Sequence, residues 1–389
     1  MNLKKNVLIV NQSAELYGAD KALLELIENF PENFAPIVVL HEEGPFKDIL
    51  EKMGIQVIKT SVIKVKRGIL NPWFFISLPF IVFKSFYKIK KELKGKKIAL
   101  IHSNATSVFI GAFYGFVFRI PHLWHVHEII EKPKKVAQVY PHLVNFFSKK
   151  IIFNSVATSN HFTNILLKVN VKATIIHNGQ ERLREKTSEI KILKIKNTFS
   201  SQTEGKIIIG LVGRISKIKG QHLIVEAFSI LLKNHSNIHL VFIGSSVKGK
   251  DEYLDHLFHQ IKKLDIEKNI SILDFQLDIW PYYDALDIVV VPSTEKESFG
   301  LVATEAMLSQ KPVIAADHGG LSEIVVHNQT GFLFEPNNIL DLKLQLEKLI
   351  LNKDLRSTFG ENGLKRVNRE FSTKKYVSAI AKVYQELSD

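Results

Sequence analysis

Short apolar segments alternate with segments of helical pattern along most of the 389-residue chain. The first series of predicted strands comprises Val7–Asn11, Pro36–His41, Gln56–Lys59, Ile98–His102, His122–Val126, Ile151–Asn154 and Thr174–His177. The predicted helices between them are Lys21–Phe30, Phe46–Met53, Phe74–Leu93, Ser107–Phe118 and Thr158–Lys168. Such alternation is typical of a parallel sheet with helices on both faces, so the pattern predicts an α/β fold.

A second series of the same kind follows a polar, charged stretch, residues 179–204, which we predict to be a linker. Its predicted strands are Lys206–Val212, His239–Ile243, Ser271–Leu273, Asp287–Pro292, Pro312–Ala315 and Gly331–Phe334, and its predicted helices are Gln221–Lys233, Glu252–Lys263, Leu301–Ser309 and Asp341–Leu351. A chain of this length is long enough for two cores. We therefore predict two Rossmann-like domains, residues 1–178 and 205–370, which face each other across a cleft, with a helix in residues 371–389 that packs back on the first.

Cysteine usage and the N-terminal residues bear on the cellular compartment. The chain has no cysteine, which excludes disulfides and thiolate metal sites and fits a reducing compartment. Lys4 and Lys5 precede only a short apolar run, Val7–Val10, which is typical of a buried strand and not of a signal peptide. These features predict a cytoplasmic protein.

The net charge of +13 is unevenly distributed along the sequence. Residues 1–180 carry a surplus of 12 basic over acidic side chains, and residues 181–389 a surplus of 1. The excess is concentrated between Lys59 and Lys150, and part of it adjoins an apolar segment, Ile69–Phe83. That segment is shorter than the roughly 20 apolar residues of a membrane span, so we predict a loop and a helix.

Two interpretations of this basic and apolar region remain open. Basic side chains beside exposed aromatic residues indicate a surface for anionic lipid headgroups, at the inner face of a membrane. Alternatively, lysines spaced by three and four residues form an ordinary solvated helix face; these are Lys84, Lys88, Lys91 and Lys94. Nucleic acid is not an expected partner, because the sequence contains no recognised nucleic-acid-binding module.

Two glutamates, Glu297 and Glu305, frame the turn between a predicted strand and a predicted helix in the second half. In open α/β sheets, ligands bind at this edge. Carboxylates there suit the hydroxyls of a sugar and a ribose, which need strong acceptors. The helix start between the two glutamates offers backbone N–H groups to a phosphate. One segment therefore has the chemistry to hold most of a nucleotide-sugar.

A basic loop, Gly213–Gly220, follows the strand Lys206–Val212. Arg214 can bind two phosphate oxygens at once, and Lys219 adds a point charge. Two cations at this position would stabilise a diphosphate leaving group as its bond to a sugar breaks. A basic loop taken alone is more often an ordinary surface loop. The acidic segment downstream favours a functional role for it.

Three further positions are candidates. Paired glycines, Gly319 and Gly320, allow close approach of the backbone to a ligand, although an ordinary turn has the same composition. Gly18 opens the first long helix and can direct amides at a phosphate, although such turns use glycine routinely. His125 and His127 share one strand face, but further metal ligands are not evident. His127 is therefore a candidate contact to a reacting sugar or a structural histidine, and we predict no metal site.

These motifs, in this order and spacing, resemble retaining glycosyltransferases of the GT-B fold, family 4, also described as glycosyl transferases group 1. The resemblance covers nearly the whole chain. Its most specific parts are Glu297-x7-Glu305 after Pro292-Ser293, the segment 213–220, and Gly319-Gly320-x-x-Glu323. The chain departs from the family pattern at Tyr17, which stands where a glycine is common, and at Ser298, which replaces a glycine and could cap the following helix.

The resemblance implies a role for each matching residue. Arg214 and Lys219 would bind the donor diphosphate, while Glu305 would bind the ribose hydroxyls. Glu297 would hold hydroxyls of the donor sugar, and His127 would lie beside the reacting carbon. The predicted catalytic set is His127, Arg214, Lys219 and Glu297. The ribose ligand Glu305 is not part of this set. The further donor-binding positions implied are Gly18, Phe275, Phe299, Gly300, Leu301, Val302, Glu305, Gly319 and Gly320.

The implied activity is transfer of a sugar from a nucleoside diphosphate sugar to an acceptor hydroxyl, with retention at the anomeric carbon. The resemblance implies no metal and no cofactor beyond the nucleotide-sugar co-substrate. The expected acceptor is a glycan or lipid-linked glycan of cell-surface polysaccharide or glycolipid assembly. Rival interpretations are a nucleotide-sugar epimerase, a phosphorylase with a pyridoxal-type cofactor, and a non-catalytic nucleotide-sugar-binding protein.

Overall fold

The computed structural model describes residues 4–63, 72–182, 186–200, 203–246 and 252–389, without the side chains of residues 72–75. The chain forms two compact units. The first consists of Met1–Gly179 and Thr373–Asp389, and the second of Gln180–Ser372. Parts of the predicted basic and apolar region (residues 64–71) and of the predicted linker (residues 183–185 and 201–202) lie outside the described residues.

The first unit is built on a seven-stranded sheet in the order β3-β2-β1-β4-β5-β6-β7. Its strands are β1 Lys5–Val10, β2 Phe34–Leu40, β3 Gln56–Lys59, β4 Ile98–Ser103, β5 His122–Val126, β6 Lys150–Phe153 and β7 Ala173–Ile175. Every neighbouring pair is parallel. The carboxyl ends of all seven strands therefore lie along one edge of the sheet.

Helices cover both faces of this sheet. They are α1 Gly18–Glu28, α2 Pro45–Lys52, α3 Pro72–Leu93, α4 Ile110–Phe118, α5 Lys134–Phe147, α6 Val156–Thr163 and, from the far end of the sequence, α15 Thr373–Ser388. The helix α15 buries Tyr376, Ile380 and Tyr384 against β1 and its neighbours. The hydroxyl of Tyr384 lies 2.7 Å from Nδ1 of His102 on β4. This helix is thus part of the core of the first unit.

The second unit has a six-stranded parallel sheet in the order β10-β9-β8-β11-β12-β13. Its strands are β8 Ile207–Val212, β9 Ile238–Ile243, β10 Ile270–Leu273, β11 Ile288–Val291, β12 Val313–Ala316 and β13 Gly331–Phe334. Its helices are α7 Glu189–Phe199, α8 Gln221–Leu232, α9 Glu252–Lys263, α10 Trp280–Ala285, α11 Leu301–Leu308, α12 Leu321–Ile324, α13 Ile339–Leu351 and α14 Lys353–Glu370. The predicted α/β class with two Rossmann-like domains is confirmed.

Apart from the short helices α10 and α12, three helices of the described residues occupy segments where none was predicted, namely α5, α7 and α14. The segment predicted as a linker contains α7, whose Ile195 and Phe199 are buried in the core of the second unit. The helix α5 also escaped prediction, although its apolar residues pack on the first sheet. In α7 lysines are interspersed with the apolar residues, so the charge masked the helical pattern. The helix α5 contains a proline, Pro141, which is normally unfavourable inside a helix.

Glycines explain why the sequence did not predict α14. Gly360 and Gly363 both lie within this helix, where glycine is normally unfavourable. A Cβ atom at Gly360 would lie 2.1 Å from the carbonyl oxygen of Gln310, and one at Gly363 would lie 2.9 Å from Met307. The two glycines thus allow α14 to pack closely on α11 and the turn after it.

The predicted helix Thr158–Lys168 is shorter in the structure. It ends at Thr163 and is followed by a 3₁₀ helix, Leu167–Val171. Within the ranges described above, no helix is both long enough and apolar enough to cross a membrane.

Candidate active site

The strand order of the second unit reverses between β8 and β11, which lie side by side in the sheet although β9 and β10 lie between them in the sequence. Ligands of open α/β sheets bind at the carboxyl ends of such a strand pair, because the loops leave in opposite directions and open a crevice. The loop after β8 is residues 213–220, and the loop after β11 is residues 292–300. The basic loop Gly213–Gly220 and the loop that contains Glu297 therefore both lie at this switch point.

An ion pair joins the two loops. Nζ of Lys219 lies 2.7 Å from Oε1 of Glu297, and both side chains are largely buried. Burial alone would raise the pKa of Glu297, but the charge and the hydrogen bond of Lys219 outweigh burial and lower it. Glu297 is therefore an ionised acceptor at neutral pH.

Two more side chains fix the carboxylate of Glu297. The hydroxyl of Ser293 donates to the same oxygen, Oε1, and Nε2 of His318 donates to the backbone carbonyl of Ser293 at 2.8 Å. Because a carbonyl only accepts, His318 carries its proton on Nε2. The side chain of His318 thus supports Glu297 through Ser293, a role that the sequence did not suggest.

The backbones of the two loops are also joined. The amide of Thr294 donates to the carbonyl of Ile218 at 2.9 Å. Gly220 has φ of 75°, and a Cβ atom there would lie 1.9 Å from the carbonyl oxygen of Pro292. Glycine at this position permits a contact that no other residue would allow. Lys219 is therefore held beside Glu297 by both side-chain and backbone contacts.

The glycine pair after β12 lies directly behind the Glu297 loop. The amide of Gly320 donates to the carbonyl oxygen of Glu297 at 2.8 Å. Gly319 has φ of 61°, and a Cβ atom there would lie 2.3 Å from that same oxygen. The pair therefore sets the position of the Glu297 backbone.

Replacing Gly319 with alanine is expected to lower kcat/KM for sugar transfer by roughly tenfold to a hundredfold, because the new methyl group pushes the Glu297 loop away and small displacements of a site cost that much. Gly205→Ala is a matched control, since Gly205 has φ of 71° but no atom within 4 Å of the added Cβ. Steady-state kinetics of both variants measure the difference. Equal kinetic losses in the two variants would contradict this expectation.

Glu305 lies on α11 and is almost fully buried. Its Oε2 accepts a hydrogen bond from the hydroxyl of Tyr283 at 2.8 Å, and its Oε1 accepts one from Nε2 of Gln180 at 3.2 Å. The hydroxyl of Thr304 donates to the other amide atom, Oε1 of Gln180, at 2.7 Å. Tyr283 and Gln180 thus orient this carboxylate, and no sequence motif marked either of them.

The other predicted positions of the second unit lie along the same sheet edge. Arg214 leaves β8 with an exposed side chain, and its carbonyl accepts from Nε2 of Gln221 at 2.9 Å. Phe275 follows β10 and is 55% exposed. The helix α11 starts at Leu301, with Val302 as its second residue.

The start of α11 corrects one prediction. The capping residue of α11 is Gly300, with φ of 117°, and not Ser298, which lies two residues before it. The neighbouring Phe299 is buried, and its ring packs edge-on against Phe371 at 5.7 Å. Phe299 therefore anchors the loop from below and presents its backbone, not its ring, to this edge of the sheet.

The first unit has its own switch point, between β1 and β4. Residues directly after these two strands are joined by a chain of hydrogen bonds. Nδ2 of Asn11 donates to Oδ1 of Asp20 at 2.7 Å, and Nδ2 of Asn104 donates to Oδ1 of Asn11 at 2.9 Å. Asn104 also donates to the carbonyl of Ala19 and lies 3.0 Å from Nε2 of His127. Gly18, which begins α1, and His127 are thus brought to one place by Asn104.

The same chain fixes the tautomer of His127. Because Asn104 uses its amide group as donor toward Asn11, its oxygen accepts from Nε2 of His127, and the proton of His127 is on Nε2. Burial lowers the pKa of His127 to about 3. His127 is therefore neutral and has Nδ1 as its acceptor.

Three other buried histidines, His102, His122 and His125, lie on β4 and β5 of the same sheet. The rings of His125 and His127 have centroids 4.0 Å apart, and His102 stacks on His125 at 5.4 Å. Burial lowers the pKa of His102 to about 3, that of His122 to about 4, and that of His125 as well. Among the residues with described structure, no three His, Cys, Asp or Glu side chains are grouped as metal ligands.

Two Rossmann-like domains, each with polar side chains at the reversal of its strand order, define a protein of the GT-B type. The structure of Anabaena HepE in complex with UDP-glucose superposes on this chain with a TM-score of 0.84 and 27% identity, covering 98% of this chain and 99% of that one.

The chain belongs to the family described as glycosyl transferases group 1. Residues 194–366 match the profile of that family. An uncharacterized glycosyltransferase of Methanocaldococcus jannaschii is 31% identical over 315 residues, covering 78% of this chain and 80% of that protein. The capsular polysaccharide biosynthesis glycosyltransferase CapM of Staphylococcus aureus is 33% identical over 181 residues, so the match spans 46%, about half, of each protein.

Proposed function

We propose that this protein is a retaining glycosyltransferase of family 4, which moves a sugar from a nucleoside diphosphate sugar to an acceptor hydroxyl. The ion pair between Lys219 and Glu297 at the switch point of the second unit carries this proposal. A cation and an ionised acceptor side by side match a donor in which a diphosphate adjoins a hydroxylated sugar.

The second unit supplies the donor-binding residues. Lys219 and Arg214 bind the diphosphate and stabilise the charge that grows on it as the bond to the sugar breaks. Glu297 accepts from hydroxyls of the sugar, and Glu305, oriented by Tyr283 and Gln180, accepts from the ribose. The amides at the start of α11, with the glycine pair behind them, line the sugar and phosphate.

In the transfer step, the bond between the anomeric carbon and the diphosphate oxygen breaks, and the acceptor oxygen bonds to the same face of that carbon. The acceptor proton passes to the leaving phosphate oxygen. Two side-chain cations take the place of a metal ion in this scheme. His127, in the first unit, presents its neutral Nδ1 as an acceptor beside the sugar.

The relatives suggest a donor and a pathway. HepE was solved with UDP-glucose, and CapM is described as a capsular polysaccharide enzyme. We propose a UDP-sugar as donor and a glycan or lipid-linked glycan as acceptor, in cell-surface polysaccharide assembly. The protein would be cytoplasmic and peripheral on the inner face of the membrane, where such acceptors are presented.

A thermal-shift panel of nucleoside diphosphates and their sugar conjugates tests the donor site. A ligand of the folded state raises the melting temperature by mass action, so UDP and one UDP-sugar are expected to raise it while other bases do not. Glu305→Ala should remove the UDP shift. No shift with any nucleotide would overturn the proposal.

A second assay distinguishes transfer from epimerisation. The donor is incubated with and without acceptor glycolipid, and the sugar products are separated. Transfer requires the acceptor, whereas an epimerase converts the donor alone. The configuration of the new linkage, read by NMR, then decides whether the anomeric centre is retained.

A further inference from the structure

Large apolar side chains stand exposed along one side of α3. Ile76, Phe80, Phe83 and Tyr87 are 63–70% exposed, with individual values of 68%, 69%, 70% and 63%. Their spacing of four, three and four residues places them in one stripe of the helix. The opposite side of α3 is buried through Ser85 and Ile89. This stripe is therefore a second apolar side, in addition to the one that packs on the sheet.

Helices α4 and α5 extend this stripe into a wider surface. The ring of Phe118, at the end of α4, lies 5.7 Å from that of Phe86 on α3. The ring of Phe116 lies 5.9 Å from that of Phe146 on α5. Phe116 is 63% and Phe146 66% exposed. We call the resulting surface the aromatic face; it comprises Ile76, Phe80, Phe83, Tyr87, Phe116 and Phe146.

Basic side chains border the aromatic face. Lys84, Lys88 and Lys91 are exposed and spaced by four and three residues, so they form a row beside the apolar stripe of α3. Arg119 is exposed directly after α4. Glu92 is the single acidic residue of α3, and it lies at the end near the last lysines. An apolar strip with a cationic border is the pattern of a helix that lies in a membrane interface.

We infer that the aromatic face docks on an anionic lipid bilayer, with its rings among the upper acyl chains and its lysines at the lipid phosphates. Charge selects this occupant. A second copy of the chain would bring two cationic borders together, because a two-fold contact uses the same patch on both partners. Lysines at the border can extend to the headgroups while their stems lie along the apolar layer.

This inference rests on the proposed transfer to a lipid-linked acceptor and identifies the surface that brings the enzyme to it. Of the two interpretations that the sequence left open, it adopts the lipid surface, because the lysine row of α3 lies beside the exposed apolar stripe of the same helix. The other two helices of the aromatic face, α4 and α5, lie within the basic region Lys59–Lys150 of the sequence prediction but outside its apolar segment Ile69–Phe83.

Cosedimentation of the full chain with lipid vesicles tests the inference. Binding is expected with phosphatidylcholine vesicles that contain phosphatidylglycerol, and not with phosphatidylcholine alone. The pair Phe83→Ser with Phe116→Ser and the pair Lys84→Glu with Lys88→Glu should each weaken binding on the order of tenfold or more. The charge pair leaves every ring in place, so it remains informative if the serine pair fails to fold.

A matched control uses exposed apolar residues of the second unit. Leu340 and Leu351 are each 70% exposed, and their replacement by serine should leave vesicle binding unchanged. Equal binding to neutral and anionic vesicles, or binding that survives both test pairs, would overturn the inference. So would self-association in sedimentation equilibrium that the serine pair abolishes while vesicle binding is absent.

The vesicles carry no acceptor, which separates this test from that of the function. Failure of vesicle binding with a normal UDP thermal shift overturns the membrane surface alone. Absence of the UDP shift with normal vesicle binding overturns the donor site alone.

Discussion

Lys219→Met is expected to lower kcat/KM for sugar transfer roughly 10²–10³-fold, the loss that follows removal of one group stabilising charge in a transition state. The side chain of Lys219 is the cation that the structure holds against Glu297, so its loss removes the charge for the diphosphate and the partner of the carboxylate. Steady-state kinetics with saturating acceptor measure the effect.

Controls separate chemistry from folding. Lys217→Met removes an exposed lysine from the same loop and should retain activity within about twofold, as expected for a surface change. Lys219→Met should also destabilise the protein by about 1–3 kcal/mol, because Glu297 is left as a buried charge without its cation. Adding Glu297→Gln should restore much of that stability but not the activity. Wild-type activity in Lys219→Met would exclude the proposed donor site.

Acidification is expected to destabilise the first unit between pH 6.5 and 4. His102, His122, His125 and His127 have pKa values that burial lowers well below the usual 6.5. Above pH 6.5 they are neutral in both states. Below it, the unfolded chain binds protons that the folded chain does not, so the free energy of unfolding falls.

The size of this effect follows from the number of groups. Each buried histidine contributes up to about 1.4 kcal/mol per pH unit, so four should reduce stability on the order of 5 kcal/mol between pH 7 and 5. Burial raises the pKa of Glu128 and of Glu28, which act in the opposite sense, but they are two groups against four. Urea unfolding at several pH values, followed by tryptophan fluorescence in a Trp280→Phe background, reports on the first unit.

Two variants test the assignment to buried histidines. His125→Phe should reduce the pH slope by about one proton, since an apolar ring of similar size replaces one of the four. His142→Gln, at an exposed position on α5, should leave the slope unchanged. A slope that is the same in all three proteins would contradict the role of burial.

The sequence predicted the strands well because each is a short apolar run with a polar or glycine boundary. In both sheets, the parallel order then places every strand-end motif on one edge, and so Lys219 and Glu297, 78 positions apart, meet across β8 and β11. Helices were less predictable where the surface is charged, as in α7, or where glycines serve close packing, as in α14.

The supporting residues of the site could not be predicted, because nothing local marks them. Asn104, Tyr283 and His318 are single polar residues in ordinary surroundings of sequence. Each acquires its role only when a distant strand end brings it to His127, Glu305 or Ser293. These contacts form only in the folded protein, so the spacing of residues along the chain does not reveal them.

The helix α15 has a consequence for biosynthesis. Residues 180–372 leave the ribosome before Thr373–Ser388, so all strands of the second unit exist while the first still lacks the helix that covers Ile9 and bonds His102. The core of the first unit thus stays incomplete until α15 is synthesised, although the strands of this unit are synthesised earlier. The first unit is therefore begun first but completed last. This prolongs the period in which its apolar surface is accessible to a chaperone.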